Sequence, residues 1–408
     1  MVNLREIKLN PRENNMTDTV VIAGMARTAM GGMQGALSAV TAPQLGAAAI
    51  KAALERAAVD PAAIDETIMG CVLPAGQGQA PARQASVGAG IPVSTGCTTV
   101  NKMCGSGMKA VMIAHDAIKA GSSVISVAGG MESMTNSPYI LPKVRDGLRL
   151  GHASMLDHMF IDGLEDAFDK GRLMGSFAED CATKYSFSRQ AQDAYAIESL
   201  TRARQAIEDG TFVREITPVQ FETRKGLVTV DVDEQPGKAK IDRIPDLRPA
   251  FAKEGTVTAA NSSSISDGAA ALVLTSSSHA ETLGLTQRAR IIAHTSFAQE
   301  PGWFTTAPVS AVRLLMEKID WSISDVDLFE VNEAFAVVAM AAMNDLKIPH
   351  EKLNVRGGAC ALGHPVGASG ARIIVTLIHA LEDMGLKRGI ASLCIGGGEA
   401  TAVAVEID

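Results

Sequence analysis

Short apolar runs alternate with longer stretches of helical period along most of the chain. Thr19 to Gly24 and Val124 to Gly129 lack polar alternation, which predicts strands covered on both faces. Leu45 to Ala58 and Met108 to Ala120 carry apolar residues at helical spacing and predict helices, so the order of elements reads as α/β. The pattern also repeats. Leu54-Glu55-Arg56 through Ile64-Asp65 returns as Met316-Glu317-Lys318 through Val326-Asp327, at an offset of 262, and CGSGMK (104–109) returns as GASGAR (367–372), at 263. In each half a helix and a Gly-rich strand end follow, at Ala128-Gly129-Gly130 and Ile395-Gly396-Gly397. Nearly constant offsets imply duplicated halves: residues 17–133, completed by 265–285, and residues 286–408. Between them, 134–264 turns charged and proline-containing, as in KVRDGLRLGH and DVDEQPGKAKIDRIPD. This stretch reads as an insertion of helices and loops that supplies binding surface on a rigid scaffold.

Composition narrows the class. Of 408 residues, 47% are hydrophobic and 20% charged, which excludes a disordered or fibrous chain and leaves a globular protein with a large core. A net charge of −8 with 4% aromatics offers nucleic acid neither a basic field nor a stacking platform. The cysteines Cys71, Cys97, Cys104, Cys181, Cys360 and Cys394 form no Cys-x-x-Cys pair and have no histidine at metal-ligand spacing, so zinc on cysteine is not indicated. A reduced, cytoplasmic setting fits them better. No apolar run nears 18 residues, so no membrane partner is expected, and residues 1–16, mixed in charge with Pro11 and several asparagines, predict a disordered extension rather than a targeting signal.

Chemistry concentrates at three glycine-rich places. Cys104 lies in NKMCGSGMKA (101–110), just ahead of a predicted helix, where the positive end of the helix favours thiolate and Gly105 and Gly107 admit a substrate close to the backbone. His364 lies in GGACALGHPVGASGAR (357–372), flanked by glycines and followed by a helix. Cys394 opens CIGGG (394–398) at a strand end, where backbone N–H groups can bind an oxyanion. In VNEAFA (331–336), Asn332 and Glu333 fall at the C-terminal end of a strand predicted from Val326 to Phe329, the end at which α/β sheets bind ligands. Cys71 and Cys360 lack such a setting and read as structural, and His279 and His350 as solvated. GQGQAP (76–81) and CGSGMK (104–109) fit neither dinucleotide nor P-loop spacing.

These four motifs, in this order with 290 residues from Cys104 to Cys394, resemble the thiolase family over everything after about Thr17. The resemblance implies a duplicated five-layer αβαβα sandwich with an inserted loop domain. It implies Cys104 as the nucleophile that becomes acylated, His364 as its base, and Cys394 as the thiol that moves the α-proton. One oxyanion site is implied at His364 with a water held by Asn332, the other at the N–H groups of Cys104 and Gly396. Coenzyme A and acyl-CoA enter as substrates, with no cofactor or metal bound permanently. Leu164, Met174, Phe251, Ala259, Ser263 and Phe335 fall at family contact positions for the acyl and CoA chain, and Lys238, Lys240 and Arg243 offer charge to its phosphates.

The sequence departs from the family pattern where Leu173, or Arg172 with a one-residue shift, replaces a histidine common in acetoacetyl-CoA-forming members. Arg356 stands in place of a small polar residue, and Glu399-Ala400 follow the last glycines. Met174 and MESMTNSPY (131–139) nevertheless favour condensation of two acetyl-CoA over the degradative 3-ketoacyl-CoA activity of fatty-acid β-oxidation. A decarboxylating ketosynthase would carry a histidine where Cys394 stands, and a non-catalytic relative would have lost a thiol or His364. A homodimer or homotetramer is expected, with the apolar strand from Val124 to Gly129 needing cover as a sheet edge.

Overall fold

The computed structural model describes residues 18–408. The extension expected over 1–16 lies outside the described residues. The first half contributes strands β1 (Val20–Thr28), β2 (Glu66–Gly70), β3 (Gly96–Val100), β4 (Ile125–Ser133) and β5 (Ser266–Ser276), with helices α1 (Ala42–Ala57), α2 (Pro81–Gly88) and α3 (Ser106–Lys119). Between β4 and β5 the chain leaves the sheet and forms α4 (Met174–Tyr185), α5 (Arg189–Glu208) and a hairpin of Val219–Thr223 with Gly226–Val230. The second half follows with β6 (Ala289–Ala298), α6 (Ala307–Ile319), β7 (Leu328–Val331), α7 (Ala336–Leu346), α8 (Ser369–Met384), β8 (Arg388–Ile395) and β9 (Glu399–Glu406).

These strands hydrogen-bond in the order β7-β8-β9-β6-β1-β5-β4-β2-β3. The order β2-β4-β5-β1 on one side matches β7-β8-β9-β6 on the other, so the repeat read in the sequence is a repeat of topology. A single shared detail makes the point. Asp65 accepts the N–H groups of Val124 and Ile125 at 2.8 and 3.0 Å, and its counterpart Asp327 accepts those of Lys387 and Arg388 at 2.9 Å. The halves join where β1 meets β6, antiparallel, with Val20 opposite Ile291.

β1, β4, β5, β7, β8 and β9 are buried on both faces, which is why they lack polar alternation. Along β5, Ala269, Ala271 and Val273 pack under α1, while Ala270, Leu272 and Leu274 face the central helices α3 and α8. Along β9, Ala400, Ala402 and Ala404 pack with α6 and α7, and Val403 and Val405 face α3 and α8. The result is the expected five layers: α1 and α2, the first-half strands, α3 with α8, the second-half strands, then α6 with α7.

Some boundaries differ from the reading of the sequence. β1 runs on to Thr28, and α1 begins at Ala42 because Thr41 and Gln44 form a capping box with Pro43 in the first turn. The strand expected from Val326 begins only at Leu328, after a capped turn at Ile323–Asp325. The strand expected at a sheet edge, β4, is interior, paired to β5 and β2. Its unbroken apolarity reflects two covered faces and says nothing about its edges. The edge strand of this half is β3, paired on one side to β2.

The central helices touch through glycine. A β-carbon on Gly107 would lie 2.9 Å from Ala371 N and Gly367 O, and one on Gly370, its counterpart in the repeat, 2.4 Å from Met108 N. Gly370→Ala forces backbone apart and is expected to cost at least about 1–3 kcal/mol, the range for overpacking a tight core. Gly237→Ala, whose β-carbon meets nothing within 4 Å, serves as the neutral control. Thermal unfolding checks both; an unchanged Tm for Gly370→Ala would refute the close-contact argument.

Candidate active site

Glycine contact at the start of α3 and α8 draws together the segments that precede them. Cys104 sits one residue ahead of the Gly105 cap, in a turn held by Ser106 Oγ, which donates to Met103 O at 2.6 Å and accepts from Lys102 N at 2.8 Å. Met103 takes a left-handed φ of 47°, a strained choice that the surrounding bonds enforce. A β-carbon on Gly105 would collide with Ile395 Cδ1 at 2.4 Å, so the turn lies directly on the end of β8. There the backbone N–H of Gly396 reaches the Cys104 thiol, as does the N–H of Cys104 itself.

Burial decides the state of both thiols. It pushes Cys104 up to about 11 against the opposing pull of those two N–H groups, and it raises buried Cys394 well above its ordinary value, helped by the neighbouring Cys104. The expected preference for thiolate at a helix start is therefore overturned: the site holds thiols at rest.

His364 is buried and its ring is fixed by one bond. Ser369 Oγ donates to Pro365 O at 3.0 Å, so the 2.5 Å contact with His364 Nδ1 is a donation from the ring. That leaves the Nε2 lone pair facing Asn332 Nδ2 at 3.5 Å. Burial, aided by the Arg372 charge, lowers the imidazole to about 3, so it is neutral at pH 7. The loop that carries it is anchored by Glu132 on β4, whose carboxylate accepts from Gly367 N at 2.9 Å, Val72 N at 2.9 Å and Leu73 N at 3.1 Å.

Asn332 follows β7 as expected, with its N–H on Ser392 O, and its buried Oδ1 has no protein partner. Glu333 turns away. It accepts from Tyr195 OH, Ser199 Oγ, Asn354 Nδ2 and Cys360 N at 2.7–3.0 Å, which identifies it as an anchor of this loop.

Cys104, His364, Cys394 and Gly396 border one apolar cavity of about 370 Å3, together with Leu164, Met174, Phe251, Ala259, Ser263 and Phe335. Met174 Sδ comes within 3.3 Å of a β-carbon position on Gly396, next to the nucleophile. Phe251 and Phe335 meet edge to face at 6.0 Å. Leu173 lines the cavity, whereas Arg172 lies 3.9 Å over the Phe177 ring and pairs with Asp180. The sequence reading missed Phe160 and Phe304, which also line it. Their local sequence carries no sign of this, because Phe160 comes from the insertion and Phe304 from the turn Pro301–Thr306 of the second half, and only tertiary packing makes them neighbours.

The basic residues divide. Lys240 and Arg243 line an adjoining recess of about 270 Å3 that shares Ala259 and Ser264 with the cavity. Lys238 does not reach either; it pairs with Glu234, one turn earlier in its own helix. Arg356 is buried against Asp383 and plays no part in the cavity, and Glu399 pairs with Lys102. His279 and His350 are half-buried rather than solvated, the latter stacked on Tyr195 at 5.2 Å.

Comparison with known proteins agrees with this geometry. The family model described as Thiolase, N-terminal domain matches residues 20–278, and Thiolase, C-terminal domain matches 285–407. Acetyl-CoA acetyltransferase of Pseudomonas aeruginosa is 47% identical over 395 residues, covering 96% of this chain and 100% of its own. Acetyl-CoA acetyltransferase 2 of Arabidopsis thaliana is 50% identical over 403 residues, with 98% of each chain covered. Acetyl-CoA acetyltransferase of Cupriavidus necator is 48% identical over 393 residues, covering 96% of this chain and 100% of its own. With both halves matched in order and relatives aligned nearly end to end, the chain belongs to the thiolase family.

Proposed function

We propose that the protein condenses two molecules of acetyl-CoA into acetoacetyl-CoA and CoA, and runs the reverse cleavage. The observation that carries the reading is the convergence of two thiols and one neutral imidazole on a single apolar cavity. The printed names of its relatives, acetyl-CoA acetyltransferase, support the same activity.

The resting thiol sets the order of events. Cys104 Sγ attacks the carbonyl of the first acetyl-CoA while its proton passes to His364 Nε2, the ring atom with a free lone pair. The N–H groups of Cys104 and Gly396, already aimed at this sulfur, meet the oxygen charge that develops. CoA leaves as the thiol by taking the proton from His364, and acetyl remains on Cys104. With CoA gone, the thiol proton of Cys394 passes to His364, and the Cys394 thiolate then removes an α-proton from the second acetyl-CoA, whose enolate oxygen is met by the protonated His364 and a water on Asn332. The enolate carbon attacks the acetyl carbonyl, the carbon–sulfur bond to Cys104 breaks, and the departing sulfur takes the proton held by His364. No metal or bound cofactor is required in these steps. The pantetheine arm runs past Leu164, Phe251, Ala259 and Ser263, and Lys240 and Arg243 face the phosphates; Lys238, which lines neither cavity nor recess, has no part in this role.

The chain has no helix among its described residues long and apolar enough to cross a membrane, and its six cysteines are unpaired, which supports a reducing cytoplasmic setting. The open edge of β3, half-exposed and flanked by exposed Val93, supports pairing with a second copy. Light scattering is expected to give a dimer or tetramer; a stable monomer near 43 kDa at micromolar concentration overturns this assembly.

Cys394→Ala should still become acetylated at Cys104, read by mass spectrometry, while condensation falls by about 10²–10⁴, the range for losing a general base. Condensation at wild-type rate, or acetylation that persists in Cys104→Ala, sinks the division of labour.

Chain length gives a separate test. Met174 closes the cavity beside Gly396, so Met174→Ala is expected to raise relative kcat/KM for longer ketoacyl-CoA substrates by about 10 to 200-fold, the worth of one or a few methylenes. Wild type should cleave acetoacetyl-CoA far better than a C8 substrate; the opposite preference assigns the degradative activity.

A further inference from the structure

Far from the cavity, at the other end of α3, two histidines and an aspartate meet across the boundary between the halves. His115 and Asp116 stand near the C-terminal end of α3, and His294 on β6. His115 Nδ1 and Asp116 Oδ1 are 2.9 Å apart, His294 Nε2 and Asp116 Oδ1 2.8 Å, and the two ring nitrogens 3.2 Å. The rings stand at 90° with centroids 4.9 Å apart. The imidazoles are only 14% and 13% exposed at the side chain, and the cluster opens to solvent through a recess that Lys119 and Lys318 also line.

We propose that His115, Asp116 and His294 form a binding site for a divalent transition metal of the zinc type, clipping α3 of the first half to β6 of the second. The three ligand atoms make a triangle with sides of 2.8, 2.9 and 3.2 Å. Its corners lie about 1.7 Å from its centre, so an ion about 1.1 Å above the plane reaches all three at about 2.0–2.1 Å, the distance zinc takes to imidazole nitrogen and carboxylate oxygen. Widening the triangle by a few tenths of an ångström gives tetrahedral edges, and the fourth position opens toward the recess. Two imidazoles with one carboxylate suit zinc, cobalt or nickel, and offer too few oxygens for calcium or magnesium.

Hydrogen bonds alone would bring two ring N–H donors, 3.2 Å apart, onto one carboxylate oxygen; with each ring proton on the opposite nitrogen, a single dication satisfies three lone pairs together. Lys119 and Lys318 oppose a bare dication and favour an anion, such as chloride or hydroxide, as the fourth ligand. The site needs no cysteine, which is why cysteine spacing in the sequence gave no sign of it.

The test uses the full chain and the metal alone. Titration with Co2+ should give the visible absorption of tetrahedral cobalt with nitrogen and oxygen ligands, and Zn2+ should displace it at one equivalent per chain. His294→Gln and Asp116→Asn, neither of which borders the catalytic cavity, should each weaken binding by more than the 10 to 100-fold typical of a supporting residue. Zn2+ at a hundredfold excess over its Kd should raise Tm by a few degrees in wild type and not in His294→Gln. Circular dichroism of the variants establishes that they are folded before titration. Absence of the cobalt spectrum, or equal binding by wild type and both folded variants, overturns the site; a spectrum of sulfur ligation that survives His294→Gln assigns the metal to cysteines and overturns it equally.

Discussion

The contact between Gly107 and Gly370 governs the molecule. Two helix starts, related by the duplication, approach until a β-carbon on Gly107 would strike the backbone at Gly367 and Ala371, and one on Gly370 the backbone at Met108. Each chain segment just before its helix is thereby delivered to the same place, Cys104 from one half and the His364 loop from the other. The active cavity is therefore a consequence of how duplicated halves pack, and neither half contains it alone. Glu132 extends the same logic: its carboxylate ties Val72 and Leu73 of the first half to Gly367 of the second.

Burial then sets the chemistry. The same desolvation that keeps His364 neutral keeps Cys104 and Cys394 protonated, and it outweighs the field of the helix start. A site of uncharged groups costs little to bury and leaves proton transfer to accompany each bond change. Positioning comes from groups that never touch the cavity: Ser369 fixes which ring nitrogen of His364 carries hydrogen, and Glu333, with four donors, holds the turn that presents Asn332.

The chain alone carried the class of fold, the duplication and the four motifs, because periodicity, offset and glycine spacing are local properties. It placed the helices to within a few residues, and α1 began early only where Thr41 and Gln44 cap it. Leu164, Met174, Phe251, Ala259, Ser263 and Phe335 were readable by resemblance, and all six border the cavity.

What the sequence could not carry was anything decided by a neighbour distant along the chain. Apolarity in β4 gave no sign that both its edges are paired, since hydrogen-bonded partners leave no mark on side-chain pattern. Lys238 and Arg243 look alike as basic residues and each pairs with a nearby carboxylate, Glu234 and Asp246, yet only Arg243 lines the recess. The thiol states, the presence of Leu173 but not Arg172 in the cavity wall, and the meeting of His115 with His294 likewise arise from packing. Local sequence determined which groups are present and at what spacing; tertiary burial determined their protonation, their partners and the direction in which they face.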